Sequence, residues 1–205
     1  VAGVREERED LLGGSGQHLL AREDVHLHAG GTGATLSSMT FADLSSAPVP
    51  PLRADDHLRG ADGDPLVLLY GDFACPRCLV AYDRLRAAPI RLVFRHLALR
   101  AKHPRALALA YASEAAGNQG AFWAFHDALY ADPGRTDDPH LWARCEALGL
   151  DLDRFEADRR SDAVATRVSR DVTDALRAGA TATPTVWIGD ARFDGPPPVQ
   201  DIPAG

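Results

Sequence analysis

Between residues 56 and 196 short apolar runs alternate with long stretches of helical periodicity. Leu66-Val67-Leu68-Leu69-Tyr70 is an unbroken apolar run of the length of a buried strand, and a helical pattern follows from Leu79 to Leu85. Together they predict a strand over 66–70 and a helix over 76–87, with a second strand over 90–96. From Pro104 to Arg177 the pattern stays helical: Ala106, Leu107, Leu109, Ala110 and Tyr111, then Phe122, Phe125, Leu129 and Tyr130, recur at helical spacing. A strand over 185–188, a turn at Gly189-Asp190 and a strand over 191–194 close the series as a hairpin. Two strands flanking one helix predict a parallel βαβ unit. The fold class is therefore α/β, a mixed sheet interrupted by a helical insertion.

Residues 1–55 have a different texture and read as an amino-terminal arm. Glu6 to Leu12 predicts a short acidic helix. Val25-His26-Leu27-His28 alternates as a strand does, with Thr35 to Phe41 as its hairpin partner across Gly30-Gly31-Thr32-Gly33. No Lys-Ser/Thr follows those glycines, so they read as a turn and not as a phosphate loop. His26 and His28 share one face and read as a half-solvated strand face ahead of a metal pair. Ser45 to Leu52 carries three prolines and predicts a stiff linker into the main domain, which begins at about residue 56.

Composition narrows the function classes. A chain of 205 residues with 45% hydrophobic content can bury a true core without disulfide staples, and its three cysteines make no secreted disulfide framework. The formal charge of −7, from 29 acidic against 22 basic residues, with the arginines spread along the chain, argues against a nucleic-acid partner. No apolar run approaches a membrane span, and no signal-type leader opens the sequence, so the expectation is a soluble chain. It starts at Val1, which leaves a removed leader open.

Cys75-Pro76-Arg77-Cys78 stands between the first strand and its helix, the context that makes a CxxC a redox candidate. Cysteines three apart on a first helical turn have Cα atoms about 5.5 Å apart, which a disulfide spans without large strain. Cys75 lies where unpaired helix N–H groups and the helix dipole favour a thiolate, so it reads as the attacking thiol. Cys78, one turn in, reads as the buried resolving thiol. Pro76 loses no helical hydrogen bond there, and Arg77 adds a positive charge beside the thiolate. Two blander readings compete. A CxxC can be half of a zinc site, but that would need Cys145 and two of His96, His103, His126 or His140 to converge, with no second CxxC to signal it. It can also be an inert core pair. The dithiol reading is preferred, and Cys145, on a face with Leu141 and Leu148, reads as core filling.

Further motifs join this pair. Asp56-His57-Leu58-Arg59-Gly60, Tyr70-Gly71-Asp72-Phe73-Ala74 before the cysteines, Phe94-Arg95-His96, His103-Pro104 and Ala115 to Trp123 together resemble the DsbA-like branch of the thioredoxin superfamily. The resemblance runs from about Asp56 to Pro196. It implies a thioredoxin fold, here residues 56–101 and 178–205, with an all-helical domain, 102–177, inserted into it. It also implies a cis-proline loop facing the disulfide, matched by Ala182-Thr183-Pro184-Thr185-Val186. Pro184 then takes a catalytic place beside Cys75 and Cys78, and Thr183 offers its backbone to Cys75 and to an extended substrate chain. Phe73, with Trp123 and Phe122 as further candidates, is expected on an apolar rim around the pair.

Two departures bear on activity. Many relatives keep a buried acid six residues before the first cysteine, whereas this chain has Leu69; Asp72 is near but is assigned to the turn, so resolution of a mixed disulfide is expected to be slower or to use water. The usual carboxy-terminal helix is replaced by Pro196-Pro197-Pro198-Val199-Gln200-Asp201-Ile202-Pro203, which cannot form one, so the arm or a second subunit in a homodimer is expected to cover the exposed sheet face. The reading reached is a thiol–disulfide oxidoreductase acting on protein thiols, needing no metal or organic cofactor. Its partners are substrate proteins with thiols or disulfides and an unidentified thiol redox couple. The alternative is a redox-sensing or protein-binding domain on the same scaffold. Cys145 and the lack of a leader point to the cytoplasm, while the resemblance accompanies export with the leader removed.

Overall fold

The computed structural model describes residues 48–204. The expected acidic helix at 6–12 and hairpin at 25–41 lie outside the described residues. Five strands, β1 (His57–Arg59), β2 (Leu66–Gly71), β3 (Arg91–His96), β4 (Thr185–Ile188) and β5 (Ala191–Phe193), form one sheet in the order β1-β3-β2-β4-β5. β2 and β3 are parallel, joined by α1 (Pro76–Leu85), while β1, β4 and β5 run antiparallel to their neighbours. Between β3 and β4 the long helical pattern resolves into α2 (Ala106–Gly117), α3 (Phe122–Ala131), α4 (Asp138–Ala147), α5 (Leu152–Asp158) and α6 (Asp162–Arg177). This is a mixed α/β thioredoxin-type fold with helices inserted in one connection. β1 was not expected as a strand: three residues give too little alternation, and it exists through its pairing of Leu58 with Val93 on β3.

β2 is central and buried on both faces, which is why its sequence runs apolar without alternation. Val67 and Leu69 join Leu92, Phe94 and Val186 on one face, against Tyr82 and Leu85 of α1 and Phe122 and Phe125 of α3. Leu68 and Tyr70 join Val93 and Trp187 on the other, against Ala175 and Ala178 at the end of α6. At the end of β2 the Phe94 ring comes within 2.5 Å of where a Cβ on Gly71 would stand, so glycine there is a packing requirement. α6 has Val164, Val168, Asp171 and Ala175 on its buried stripe and starts at Ser161, whose side chain accepts from the Val164 N–H.

Segments flanking the described domain add to both sheet faces beside the helices. On the α6 side, Val49 packs against the core and Arg95 anchors residues 51–56. Its guanidinium donates to Asp56 Oδ1 and Oδ2 at 2.8 and 2.7 Å, to the Pro51 carbonyl at 2.6 Å and to Tyr70 Oη at 3.1 Å. Arg53 reaches Asp171 of α6 at 2.6 Å, whose other oxygen accepts the His96 N–H. On the α1 side, where the arm or a second subunit is expected to cover the sheet, the tail itself makes contact. It forms a single 3₁₀ turn, Val199–Asp201, after which Ile202 packs on the core, and Arg84 donates to the Pro197 carbonyl at 2.9 Å.

Candidate active site

β2 ends at Gly71, and four residues later Cys75 caps α1 with extended backbone (φ −94°, ψ 116°). The Cys75 carbonyl accepts from the Cys78 and Leu79 N–H groups at 3.0 and 3.4 Å, the first helical bonds of α1. Pro76 takes the first helical position, where a missing N–H leaves nothing unpaired. Cys75 is 6% exposed and Cys78 is fully buried, so the pair sits at the floor of the surface with only the first sulfur near solvent. All three cysteines are free thiols, and Cys145 is buried in the core as expected.

The loop before β4 meets this helix end. The Thr183–Pro184 peptide bond is cis, and Cys75 Sγ lies 3.5 Å from the Thr183 carbonyl oxygen. Thr183 and Pro184 are both buried, and Thr185 Oγ1 donates back to the Ala182 carbonyl at 2.8 Å, which fixes the turn. The structure thus gathers Cys75, Cys78, Thr183 and Pro184 at one edge of the sheet, although 108 residues separate Cys75 from Thr183.

The two thiols are electrostatically unlike. Hydrogen bonding from Cys78 is the largest influence on Cys75; with the Thr183 side chain and the backbone N–H groups of Cys78 and Arg77 it outweighs burial and lowers the Cys75 pKa to about 5. Burial pushes Cys78 well above the ordinary thiol range, and the neighbouring Cys75 pushes it the same way. Arg77 therefore acts through its amide. Its guanidinium is exposed and reaches the Asp194 carbonyl at 3.5 Å, which corrects the expectation of a charge aimed at the thiolate.

Phe73 is not on a rim. It is 3% exposed, with its ring 5.2 Å from both Phe94 and Tyr130, so it supports the active-site loop from below. Phe122 is likewise core at 4% exposed and stacks on His57, while Trp123 lies over the Arg59 guanidinium, away from any role at the sulfurs. Leu69, where the resemblance implies an acid, is fully buried among apolar neighbours.

Sequence reasoning assigns Asp72 to the turn and gives His103 no place beside the thiols; the structure brings both to Cys78's side of the site. Asp72 follows β2 in the turn, as expected, but the turn is buried: its side chain has no solvent exposure, and its N–H donates to Cys78 Sγ at 3.4 Å. One carboxylate oxygen accepts the Ala74 N–H at 2.8 Å, and the other meets His103 Nδ1 at 2.7 Å. An aspartate two residues ahead of an N–H it can accept from is an Asx-turn signal, legible in sequence, but its contact with His103 is not. Among the described residues no group of three or more His, Cys, Asp or Glu side chains is arranged to hold a metal ion.

Comparison with known proteins agrees with this geometry. A family model described as a DSBA-like thioredoxin domain matches residues 66–203. A protein named Na(+)/H(+) antiporter NhaA 1, from Salinispora arenicola, is 43% identical over 157 residues, 72% of this chain and 23% of its own length. The chain thus spans about a quarter of the curated relatives it matches. Among solved structures, a thioredoxin-like oxidoreductase from Silicibacter pomeroyi superposes with a TM-score of 0.65 at 24% identity, covering 72% of this chain and 88% of that one. Oxidised BdbD from Bacillus subtilis gives 0.65 at 18% identity, covering 77% and 94%. At these identities the structural matches establish the fold, and the family model, spanning the cysteine pair and the cis-proline loop alike, settles the kinship: the chain belongs to the DSBA-like thioredoxin domain family.

Proposed function

We propose that the chain is a dithiol–disulfide oxidoreductase acting on protein thiols through Cys75 and Cys78. The observation that carries this reading is the asymmetric setting of the pair: Cys75 caps α1 beside the surface, 3.5 Å from the Thr183 carbonyl at the cis-proline loop, with Cys78 fully buried behind it, an arrangement that lowers the Cys75 pKa and raises that of Cys78. In the reducing sense the Cys75 thiolate attacks a substrate disulfide, one substrate sulfur leaves, and Cys78 then attacks Cys75 Sγ to release the other. In the oxidising sense a substrate thiolate attacks Cys75 of the disulfide and Cys78 leaves. A thiolate stabilised this strongly favours the dithiol, so the disulfide form is a good oxidant and the oxidising sense is the one supported. Thr183 and cis-Pro184 supply the backbone against which an extended substrate chain can lie.

Turnover with two substrates tests the reading. The oxidised chain should oxidatively refold a reduced, unfolded ribonuclease over many cycles with a glutathione couple present, and the dithiol should reduce insulin. Cys75→Ala should abolish both, and Cys78→Ala should trap a mixed disulfide on Cys75. Catalysis that survives Cys75→Ala would reject the assignment.

A second reading has its own support. The curated relatives that match at 39–43% identity are named as sodium/proton antiporters, and this chain spans about a quarter of each. A domain of this kind beside an ion antiporter would act as a redox sensor, changing state without turnover. Stoichiometric oxidation of Cys75 and Cys78 with no multiple-turnover refolding would favour it.

A further inference from the structure

Cys78 must lose a proton to attack Cys75, and must regain one when it leaves. It is fully buried, and burial together with Cys75 holds it protonated. An unassisted buried thiol is a poor nucleophile. Leu69, at the place where the resemblance implies an acid, is buried in the apolar core and has no ionisable group, so it cannot serve.

The groups that touch Cys78 suggest another route. The Asp72 N–H donates to Cys78 Sγ at 3.4 Å, so the aspartate is fixed against the resolving sulfur by its own backbone. Its carboxylate is sealed from solvent, and its charge is among those acting on Cys78. The Ala74 N–H at Oδ1 sets its rotamer, and Oδ2 meets His103 Nδ1 at 2.7 Å. The His103 side chain is 23% exposed, so the pair joins a closed site to water. His103 is held by its own N–H to the Leu99 carbonyl at 3.0 Å, in the turn that leads into α2. Of the other acids in the domain, buried Glu114 binds His57, His96 and Arg167, and the half-exposed Asp127 binds Arg59, Tyr82 and His126. Tyr130 supports the same location: its hydroxyl is buried without a hydrogen-bond partner, and it is among the groups that feel Cys78 and Asp72.

We propose that Asp72 and His103 form the proton path of the resolving thiol, with Asp72 exchanging the proton of Cys78 and His103 passing it to solvent. The inference rests on the proposed exchange reaction. In the reducing sense Cys78–SH gives its proton to the Asp72–His103 pair, the sulfur forms the Cys75–Cys78 bond, and the Cys75–substrate bond breaks with the substrate thiolate leaving. In the oxidising sense the same pair returns a proton to the departing Cys78 sulfur. Asp72 touches the reacting sulfur through its backbone N–H, and its charge acts on that sulfur; His103 acts through Asp72 and is a positioning and relay residue.

The test separates the two thiols in time. The reduced full chain is mixed with one equivalent of the aromatic disulfide dithiobis(nitrobenzoate). Cys75 attacks and releases a first nitrothiobenzoate, then Cys78 closes the protein disulfide and releases the second, so two electrons leave the protein and the reagent is reduced to two thiolates. His103→Ala should slow the second release on the order of tenfold to a hundredfold. Added imidazole should restore it in His103→Ala while leaving the wild type unchanged. His103→Gln keeps a hydrogen bond to Asp72 but cannot relay a proton, and should be slow without loss of thermal stability. A second phase that keeps its wild-type rate in both variants overturns the proposal. So does a slow phase that imidazole does not restore in His103→Ala while His103→Gln runs at the wild-type rate, because the role would then be structural. Absence of the first release in the wild type would instead reject the exchange reaction itself.

Discussion

At the residue scale, the site is two identical side chains made different by their surroundings. Cys75 takes hydrogen bonds from Cys78, the Thr183 side chain and two amides at the start of α1, whereas Cys78 is enclosed by the core and faces the Cys75 charge. The largest single influence on Cys75 is therefore its partner's S–H. Cys78→Ala should move the Cys75 pKa from about 5 well up toward the ordinary thiol value of 9.0. Thiolate absorbance at 240 nm against pH reads this directly; an unmoved titration would show that amides and Thr183 suffice. Arg77→Ala should shift it little, since the side chain is turned to Asp194.

At the element scale, β2, α1, β3 and the β4–β5 hairpin are legible in the sequence because each has a period or a turn of its own. The strand and the helix that carry Cys75 and Cys78 are read to within two residues at either end. The loop of Thr183 and Pro184 is assigned by resemblance, since nothing in its composition announces it. Phe73 is misplaced because an aromatic beside a redox pair looks the same in sequence whether it faces solvent or core. Asp72–His103 and β1 escape because both are made by pairing across 31 residues or more. Long-range pairing also fixes the segment before β1. Arg95 is 2% exposed and Asp56 4%, and removing one partner of a buried ion pair costs roughly 3–5 kcal/mol. Asp56→Ala should lose stability of that order in denaturant unfolding, with residues 51–56 released from the sheet. A loss below about 1 kcal/mol, the scale of an exposed pair, would contradict this anchoring role.

At the scale of the whole molecule, stability should depend on both acidity and redox state. Burial pushes His126 down to about 4 from its usual 6.5, with Asp127 opposing, and burial lowers His57 as well. Below pH 6.5 the unfolded chain binds protons that the folded chain refuses, so stability falls as pH drops from there toward 4. His126→Phe keeps the aromatic packing with Phe94 and Tyr130 and should flatten that slope; an unchanged slope would assign it to other groups. Cys75 acts on the reduced form alone. Its folded pKa lies below its unfolded value, so it stabilises the dithiol at pH 7, and that advantage over the disulfide form fades as pH falls through about 5. Under the proposed function, the same stabilisation would make the disulfide form an oxidant. The most direct measurement equilibrates the full chain against a series of reduced and oxidised glutathione mixtures, quenches the thiols with an alkylating agent and weighs the intact protein. A single two-electron transition is expected, which removes the labels of Cys75 and Cys78 and leaves the Cys145 thiol unoxidised, with a midpoint more oxidising than the roughly −270 mV of thioredoxin. Three thiols alkylated at every mixture, a disulfide that includes Cys145, or a midpoint at or below that potential would contradict it.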